Sequence, residues 1–341
     1  MVLSVTGRRG CGDGIGRVYG KRGRTVNSVR VAHGRGRRIA ARVRILVAGA
    51  TGFIGPALVS ALRAEGHDVR RLVRGREFAA DAVPWEPSAG PLDPALLRDV
   101  DAIVNLAGEN IAGGRWTSVR RAAIRGSRIA STRALVEPLK ELETGPRVLV
   151  SASAAGYYGD RGDELLTEED GPGRGFLSDV CRDWECEARK AEACGVRVVL
   201  LRLGIVLGPN GGALARMVTP FRLGFGGRIG SGRQWMSWVH RDDVIAVTQR
   251  ALSDSGYAGP VNVTAPSAVR NADFARVLAD ALHRPALVPA PAFALRLLFG
   301  AMADEALLAS TRLAPGVLTA KKYPFRHKDL PSAVAASLIH L

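Results

Sequence analysis

Apolar residues recur along this chain in short runs of strand length, separated by stretches with helical spacing. The clearest run is Arg44-Ile45-Leu46-Val47-Ala48, which stops at Gly49. A helical pattern then begins near Phe53 and runs from Gly55 to about Glu65. Gly66-His67 breaks it, and Asp68 to Arg74 reads as a second strand. A third is weakly marked around Val83-Pro84-Trp85. Asp101 to Gly108 supplies a fourth apolar run ending in a small-residue turn, and a long helical region follows from about Trp116 to Leu142. Arg147 to Val150 is a fifth strand ending in Ser151-Ala152-Ser153. Phe176 to Cys194 reads as a helix with Gly195 as its C-cap, and Val196 to Leu201 as a sixth strand. Such alternation predicts an α/β fold with a doubly wound parallel sheet.

Beyond Gly204 the texture changes. Residues 208–212 and 224–227 are glycine-rich and read as loops. Asp243 to Leu252 is helical, Val261 to Val263 a short strand, and Asn271 to Leu282 a helix with Asn271 as its N-cap. Pro285, Pro289 and Pro291 separate that helix from another at Ala292 to Phe299. The expected division is a sheet domain of residues 43–205 with 237–265, and a smaller α+β C-terminal substrate lobe of 206–236 with 266–341. No internal repeat is present.

Charge changes the picture only at the amino end. The formal net charge is +16, but residues 1–44 hold twelve Lys or Arg against the single acid Asp13, a surplus of +11, which leaves +5 for the rest. The basic excess belongs to a Gly- and Arg-rich leader (residues 1–42) expected to lack order. A transit peptide or an upstream translation start would each explain it. A nucleic-acid partner would need basic residues interleaved with aromatics on a folded face, so none is expected. Apolar stretches are too short for a membrane span. The four cysteines (Cys11, Cys181, Cys186, Cys194) show no metal-ligand spacing, and a reducing, cytoplasmic compartment is expected. No histidine lies within a few residues of another or of a cysteine, so no metal is expected.

The candidate chemistry begins at Gly49, Gly52 and Gly55, three apart across a strand-to-helix junction. This spacing suits a tight turn whose helix N–H groups face a pyrophosphate, as in Rossmann-type dinucleotide folds. A glycine-rich loop without a ligand is the alternative. The second strand ends in Arg74, with Arg76 just beyond, where NAD binders favour an acid for the ribose 2′-hydroxyl. A guanidinium there suits a 2′-phosphate, so NADP is expected over NAD. A solvated basic turn is the bland reading of the same residues.

Several motifs in order resemble an extended short-chain dehydrogenase/reductase. They are Gly49-Ala-Thr-Gly52-Phe-Ile-Gly55, Asn105-Leu-Ala-Gly108, Ser151-Ala-Ser153 with Tyr158-Gly159, Arg202-Leu-Gly204 and Val239-His240-Arg-Asp242-Asp243. More closely, Glu109-Asn110, Gly126-Ser127-Arg128, Gly156-Tyr157-Tyr158-Gly159, Pro220 to Gly224 and Gly230 to Gln234 are similar to the SDR39U1-type epimerase family, as is the Pro-rich C-terminal module. The resemblance spans about residues 43–335. It implies that Gly49, Thr51, Gly52, Phe53, Ile54 and Gly55 hold the pyrophosphate. Arg74 and Gly75 would meet the adenosine end, Leu106, Ala107 and Gly108 the adenine and ribose side, and Arg128 and Val206 are further cofactor contacts. It also implies an NADP-dependent oxidoreductase or epimerase.

The wider superfamily pairs a Tyr-x-x-x-Lys with a serine. None of the five tyrosines here has a lysine four residues on, and by spacing from Ser153 the pair would fall near Leu177 and Cys181. General acid–base help is worth roughly 10²–10⁴ in rate, so a substitute is needed. Ser153 is the candidate hydroxyl, with Tyr157 and then Tyr158 as phenols and Arg161 close enough to favour a phenolate. The tyrosines could equally pack or mark the turn. A protein that binds NADP without turnover, as a sensor or scaffold, is the other functional class. Glu109, Arg233 and Gln234 are candidate substrate contacts for a small sugar-nucleotide-like or other carbonyl or hydroxyl compound. Glu109 could instead cap the next segment, and Arg233 could pair with an acid of the fold. His240 and Asp242 read as fold residues. A homo-oligomer is compatible with the sequence, which does not specify one.

Overall fold

The central strands of the main sheet carry runs of buried, strand-favouring residues on both faces, as a covered parallel sheet requires. The strands are β1 (Arg44–Ala48), β2 (Asp68–Val73), β3 (Ala82–Pro84), β4 (Ala102–Asn105), β5 (Val148–Ala154), β6 (Arg197–Leu203) and β7 (Gly259–Val263). They are all parallel, in the order β3-β2-β1-β4-β5-β6-β7. The strand order reverses between β1 and β4, the place where such sheets bind ligands. This computed structural model describes residues 42–75 and 79–339. Residues 1–41 of the basic leader, with Cys11, and the arginine at 76 lie outside the described residues.

Successive residues of β1 point to opposite faces, and each face is covered by helices. Ile45 and Val47 join Leu58, Val59 and Leu62 of α1 (Gly55–Ala64) in one core. Leu46 and Ala48 join Ala134, Leu135 and Val136 of α2 (Ser118–Val136) in the other. Helix α3 (Phe176–Arg189) adds Ala188 to the second core and runs on through a 3-10 turn to Gly195, whose left-handed φ of 74° caps it as expected. Leu62 is fully buried, and its replacement by Ala should cost about 2–5 kcal/mol.

The C-terminal lobe has its own core. Helix α4 (Gly212–Arg222) contributes Leu214, Val218 and Phe221, which pack with Trp238, Phe274, Leu278, Leu330 and Val334. The glycine runs on either side of α4 hide this helix from the sequence pattern. Its three buried residues nevertheless share one helical face, and Pro220 stands in the last turn. Helix α5 (Arg241–Ser253) returns to the sheet and places Val244 and Val247 in the first core. Helix α6 (Asn271–Ala281) begins at the residue expected to cap it, and the cap position falls one residue earlier, on Arg270. Asn271 is already helical, and its Oδ1 accepts from Ile229 N–H at 2.7 Å, tying down the preceding loop.

Helix α7 (Ala292–Phe299) lies where the pattern predicts it. Two carboxylates, the buried Asp243 and the half-buried Glu168, fasten the rest of the module. Asp243 accepts from Tyr323 Oη at 3.0 Å and from the N–H groups of Arg326 and His327 at 2.9 and 3.1 Å. Glu168 accepts from the N–H groups of Asn262, Gly316 and Val317. Among the described residues no helix is long and apolar enough to cross a membrane.

Candidate active site

The turn after β1 is built by close approach. Gly49 has φ 78°, and a Cβ there would sit 2.6 Å from the Leu106 carbonyl carbon, so the ends of β1 and β4 meet backbone to backbone. A Cβ on Gly55 would overlap the Gly49 carbonyl. Gly52 differs: its nearest neighbour to a Cβ is 3.4 Å away, and with Thr51 it is exposed. Helix α1 starts after Ile54 with no side chain capping its first N–H groups, which leaves them for an anion. The ring of Phe53 packs under Gly208, Gly211 and Gly212, with the Arg241 guanidinium 5.3 Å from its centroid.

Arg74 follows β2 and is exposed, as is Gly75 with φ 81°. Glu86 lies nearby; bonds from Ser88, and then the Arg74 charge, hold its carboxyl below the usual range. At the end of β4 the buried Asn105 donates to Thr132 Oγ1 at 2.9 Å and accepts from Ala107 N–H at 3.1 Å, fixing the Leu106-Ala107-Gly108 turn. Arg128 lies against that turn: a Cβ on Gly108 would be 3.2 Å from its Cζ. Its Nη1 donates to the carbonyls of Glu109 and Ile124, both at 3.0 Å. Burial lowers the Arg128 pKa, opposed by Cys181 and Glu109. The Glu109 carboxylate accepts from Arg120 at 2.9 Å, so it is paired rather than free or capping. Val206 lies in the short strand Ile205–Leu207, opposite Val239.

Beside β4, strand β5 runs on to Ala154, past its expected end, and carries Ser153 inside the fold. Ser153 is 2% exposed and donates to Glu185 Oε1 at 2.6 Å. Arg202, at the end of β6, grips both oxygens of Glu185 at 2.9 Å and donates to Tyr158 Oη at 2.8 Å. Tyr158 Oη also lies 2.8 Å from Asn262 Oδ1 and 2.9 Å from the Thr167 carbonyl. Tyr158 has no exposed surface, and burial pushes its pKa up to about 12, against the pull of Arg202. Its hydroxyl therefore serves this network, as the packing alternative for one of the two tyrosines has it. Burial works against the Arg202 charge, but Glu185 and Tyr158 outweigh it and raise its pKa.

Tyr157 is half-buried, and the guanidinium above its ring, at 3.5 Å, is Arg202. The expected partner Arg161 instead makes a bidentate pair with Glu164 at 2.7 and 2.8 Å. Leu177 and Cys181 do face the end of β5, since a Cβ on Gly156 would lie 3.2 Å from Leu177 Cβ and 3.9 Å from Cys181 Sγ. The Cys181 thiol is pushed up to about 12 by burial, with Glu185 adding to it. Glu185 is the residue that motif reading missed, and Arg202 stood in a motif without a role assigned to it. The available signal was an acid between Trp184 and Ala188, both buried, on a helix face that also holds Cys181.

The two substrate candidates of the lobe part company. Arg233 is exposed. Gln234 is 7% exposed, and its Nε2 donates to the carbonyls of Ile229 and Leu307 at 3.1 Å, which ties that nitrogen to the loop. His240 Nδ1 accepts from Asp242 N–H at 3.2 Å and caps α5, a fold role as expected. Histidines that are distant in sequence nevertheless meet here: the His240 and His327 rings are 3.9 Å apart, which linear spacing could not reveal.

Residues 45–263 match the NAD dependent epimerase/dehydratase family, and residues 290–337 match a domain of unknown function, DUF1731. The chain is 42% identical over 290 residues to epimerase family protein Mb2239 of Mycobacterium bovis, covering 85% of this chain and 96% of that protein. The crystal structure of human epimerase family protein SDR39U1 (isoform 2) with NADPH superposes with a TM-score of 0.79 at 32% identity, over 88% of this chain and all of that one. A nucleoside-diphosphate sugar epimerase from Corynebacterium glutamicum superposes with a TM-score of 0.73 at 35% identity, over 87% of this chain and 58% of that one.

Proposed function

Because the chain belongs to the NAD dependent epimerase/dehydratase family, a family of enzymes that work with a nicotinamide dinucleotide, we propose that it is an NADP-dependent oxidoreductase or epimerase. Its substrate is a small carbonyl or hydroxyl compound of sugar-nucleotide-like character. The observation that carries the cofactor choice is Arg74, an exposed guanidinium at the end of β2 where an acid would select NAD. The human relative crystallised with NADPH supports the same choice. The turn from Gly49 to Gly55 would hold the pyrophosphate at the start of α1, and Leu106, Ala107, Gly108, Arg128 and Val206 would border the rest of the cofactor.

A bound nicotinamide would supply or accept the hydride at a carbon of the substrate, and the protein's own groups would have to give or take the proton of the substrate oxygen. Tyr157 is the group we assign to that proton. Its ring carries the Arg202 cation on its face, in the place of the missing lysine's charge. Ser153 supplies a fixed hydroxyl oxygen, whose hydrogen is already held by Glu185. Glu109 and Arg233 are the remaining candidate contacts for substrate. The test is NADPH oxidation over a panel of carbonyl compounds, with Tyr157→Phe as the variant. A fall in kcat of about 10²-fold with an unchanged melting temperature is expected. Wild-type rates in Tyr157→Phe would remove the phenol from the mechanism.

A further inference from the structure

We propose that His240, Asp242 and His327 form a binding site for one divalent transition-metal ion, of the class that accepts two imidazoles and a carboxylate. One donor atom from each residue falls within a circle of mutual distances no longer than 4.8 Å. His240 Nδ1 is 3.7 Å from Asp242 Oδ2. Two ligands of one tetrahedral zinc, each at about 2.0–2.1 Å from the ion, stand about 3.4 Å apart, so the pair needs to close by only a few tenths of an ångström. Imidazole with carboxylate suits zinc, cobalt and nickel better than the oxygen-seeking calcium or magnesium.

The site is held from both sides. His240 ends the short strand Trp238–His240, is 3% exposed and caps α5. The opposite wall is the segment carrying His327, which three hydrogen bonds from Tyr323 Oη and the N–H groups of Arg326 and His327 tie to Asp243, the residue next to Asp242. His240 Nδ1 accepts an amide hydrogen, so it carries a lone pair and the ring proton sits on Nε2. That Nε2 is buried without a hydrogen-bond partner. Binding would move the Nδ1 lone pair from a 3.2 Å bond to the Asp242 amide onto the ion. Asp242 and His327 are half-exposed, which gives an ion and its remaining water ligands a way in. An ion there would clamp the C-terminal segment to the start of α5. It would sit next to Arg241, whose guanidinium packs on Phe53 of the cofactor turn.

The experiment uses the full chain after chelator treatment, titrated with Co²⁺ and read by its visible d–d absorption. One equivalent of Co²⁺ should give a band that Zn²⁺ displaces. His327→Ala and Asp242→Asn should each weaken Co²⁺ binding by about tenfold or more. Both replaced side chains reach solvent, and the melting temperature without metal reports whether each variant folds. A rise in melting temperature with Zn²⁺ in the wild type, absent from both variants, gives an independent reading. The proposal is overturned if no d–d band forms, or if band and affinity are unchanged in His327→Ala, which would assign binding to other side chains.

Discussion

Ser153 and Glu185 share a 2.6 Å hydrogen bond in the interior, between the end of β5 and the second half of α3. Ser153, the candidate hydroxyl, is a structural donor to a buried carboxylate. The two residues should therefore respond differently to substitution. Ser153→Ala removes one hydrogen bond to a charged group while Arg202 keeps both Glu185 oxygens, at a cost of about 1.5–3 kcal/mol. Glu185→Ala strands the Arg202 cation and should cost about 3–5 kcal/mol. Urea unfolding of both variants checks the ranking, and a milder loss in Glu185→Ala would contradict it.

Tyr158→Phe is expected to be a stability variant. It leaves Arg202 Nη1 and Asn262 Oδ1 without their phenol partner in the interior, costing about 1–3 kcal/mol. Any activity lost should return at lower temperature in proportion to the folded fraction. Loss of kcat in fully folded Tyr158→Phe would put the phenol back into the chemistry.

The strand-turn-helix unit and most of the α/β alternation were legible because local apolar period and glycine spacing carry them. What was not legible depends on the sheet order. β5 and β6 are neighbours in the sheet, so Ser153 and Arg202 stand side by side, and both reach Glu185 on the helix between them. Arg161 is closer to Tyr157 in sequence than Arg202 is, yet Glu164 captures it. Helix α4 was masked for another reason. Its flanking glycines read as loop, while the tertiary contacts of Leu214, Val218 and Phe221 stabilise the helix between them.

The three turn glycines separate folding from cofactor binding. Gly55→Ala would force a Cβ into the Gly49 carbonyl and should destabilise the fold. Gly52→Ala meets nothing closer than 3.4 Å and should leave stability within about 0.5 kcal/mol. Its added methyl faces the space assigned to the pyrophosphate, so NADPH affinity should fall by about tenfold or more. Thermal melts with NADPH titrations on the same samples check this, and unchanged affinity in Gly52→Ala would contradict the placement of the phosphates.

Cysteine reactivity should follow burial. Cys186 is exposed, whereas Cys181 is buried with its thiol pushed up to about 12. At pH 8, iodoacetamide should modify Cys186 first, and Cys181 only after denaturation. Mass spectrometry of a labelling time course reads the order. Early modification of Cys181 would show that the end of β5 is open to solvent.

Acid sensitivity should include a contribution from Asp81. Arg71, with Arg63, holds its carboxyl well below the ordinary range. A depressed folded pKa stabilises above the unfolded value and loses that contribution as pH falls below about 4 towards the folded value. The partly exposed pair is worth about 1 kcal/mol after solvent screening. Asp81→Asn should be less stable than wild type at pH 7, with the gap narrowing as pH falls below about 4. A gap that did not change with pH would assign the effect to packing.

The most direct test of the account is a titration of the full chain with NADPH and with NADH, repeated on Arg74→Ala. If Arg74 reads the 2′-phosphate, the wild type binds NADPH at least about tenfold more tightly than NADH, and the substitution removes most of that difference while leaving NADH affinity in place. Equal affinity for the two cofactors in the wild type, or an undiminished preference for NADPH in Arg74→Ala, would contradict it.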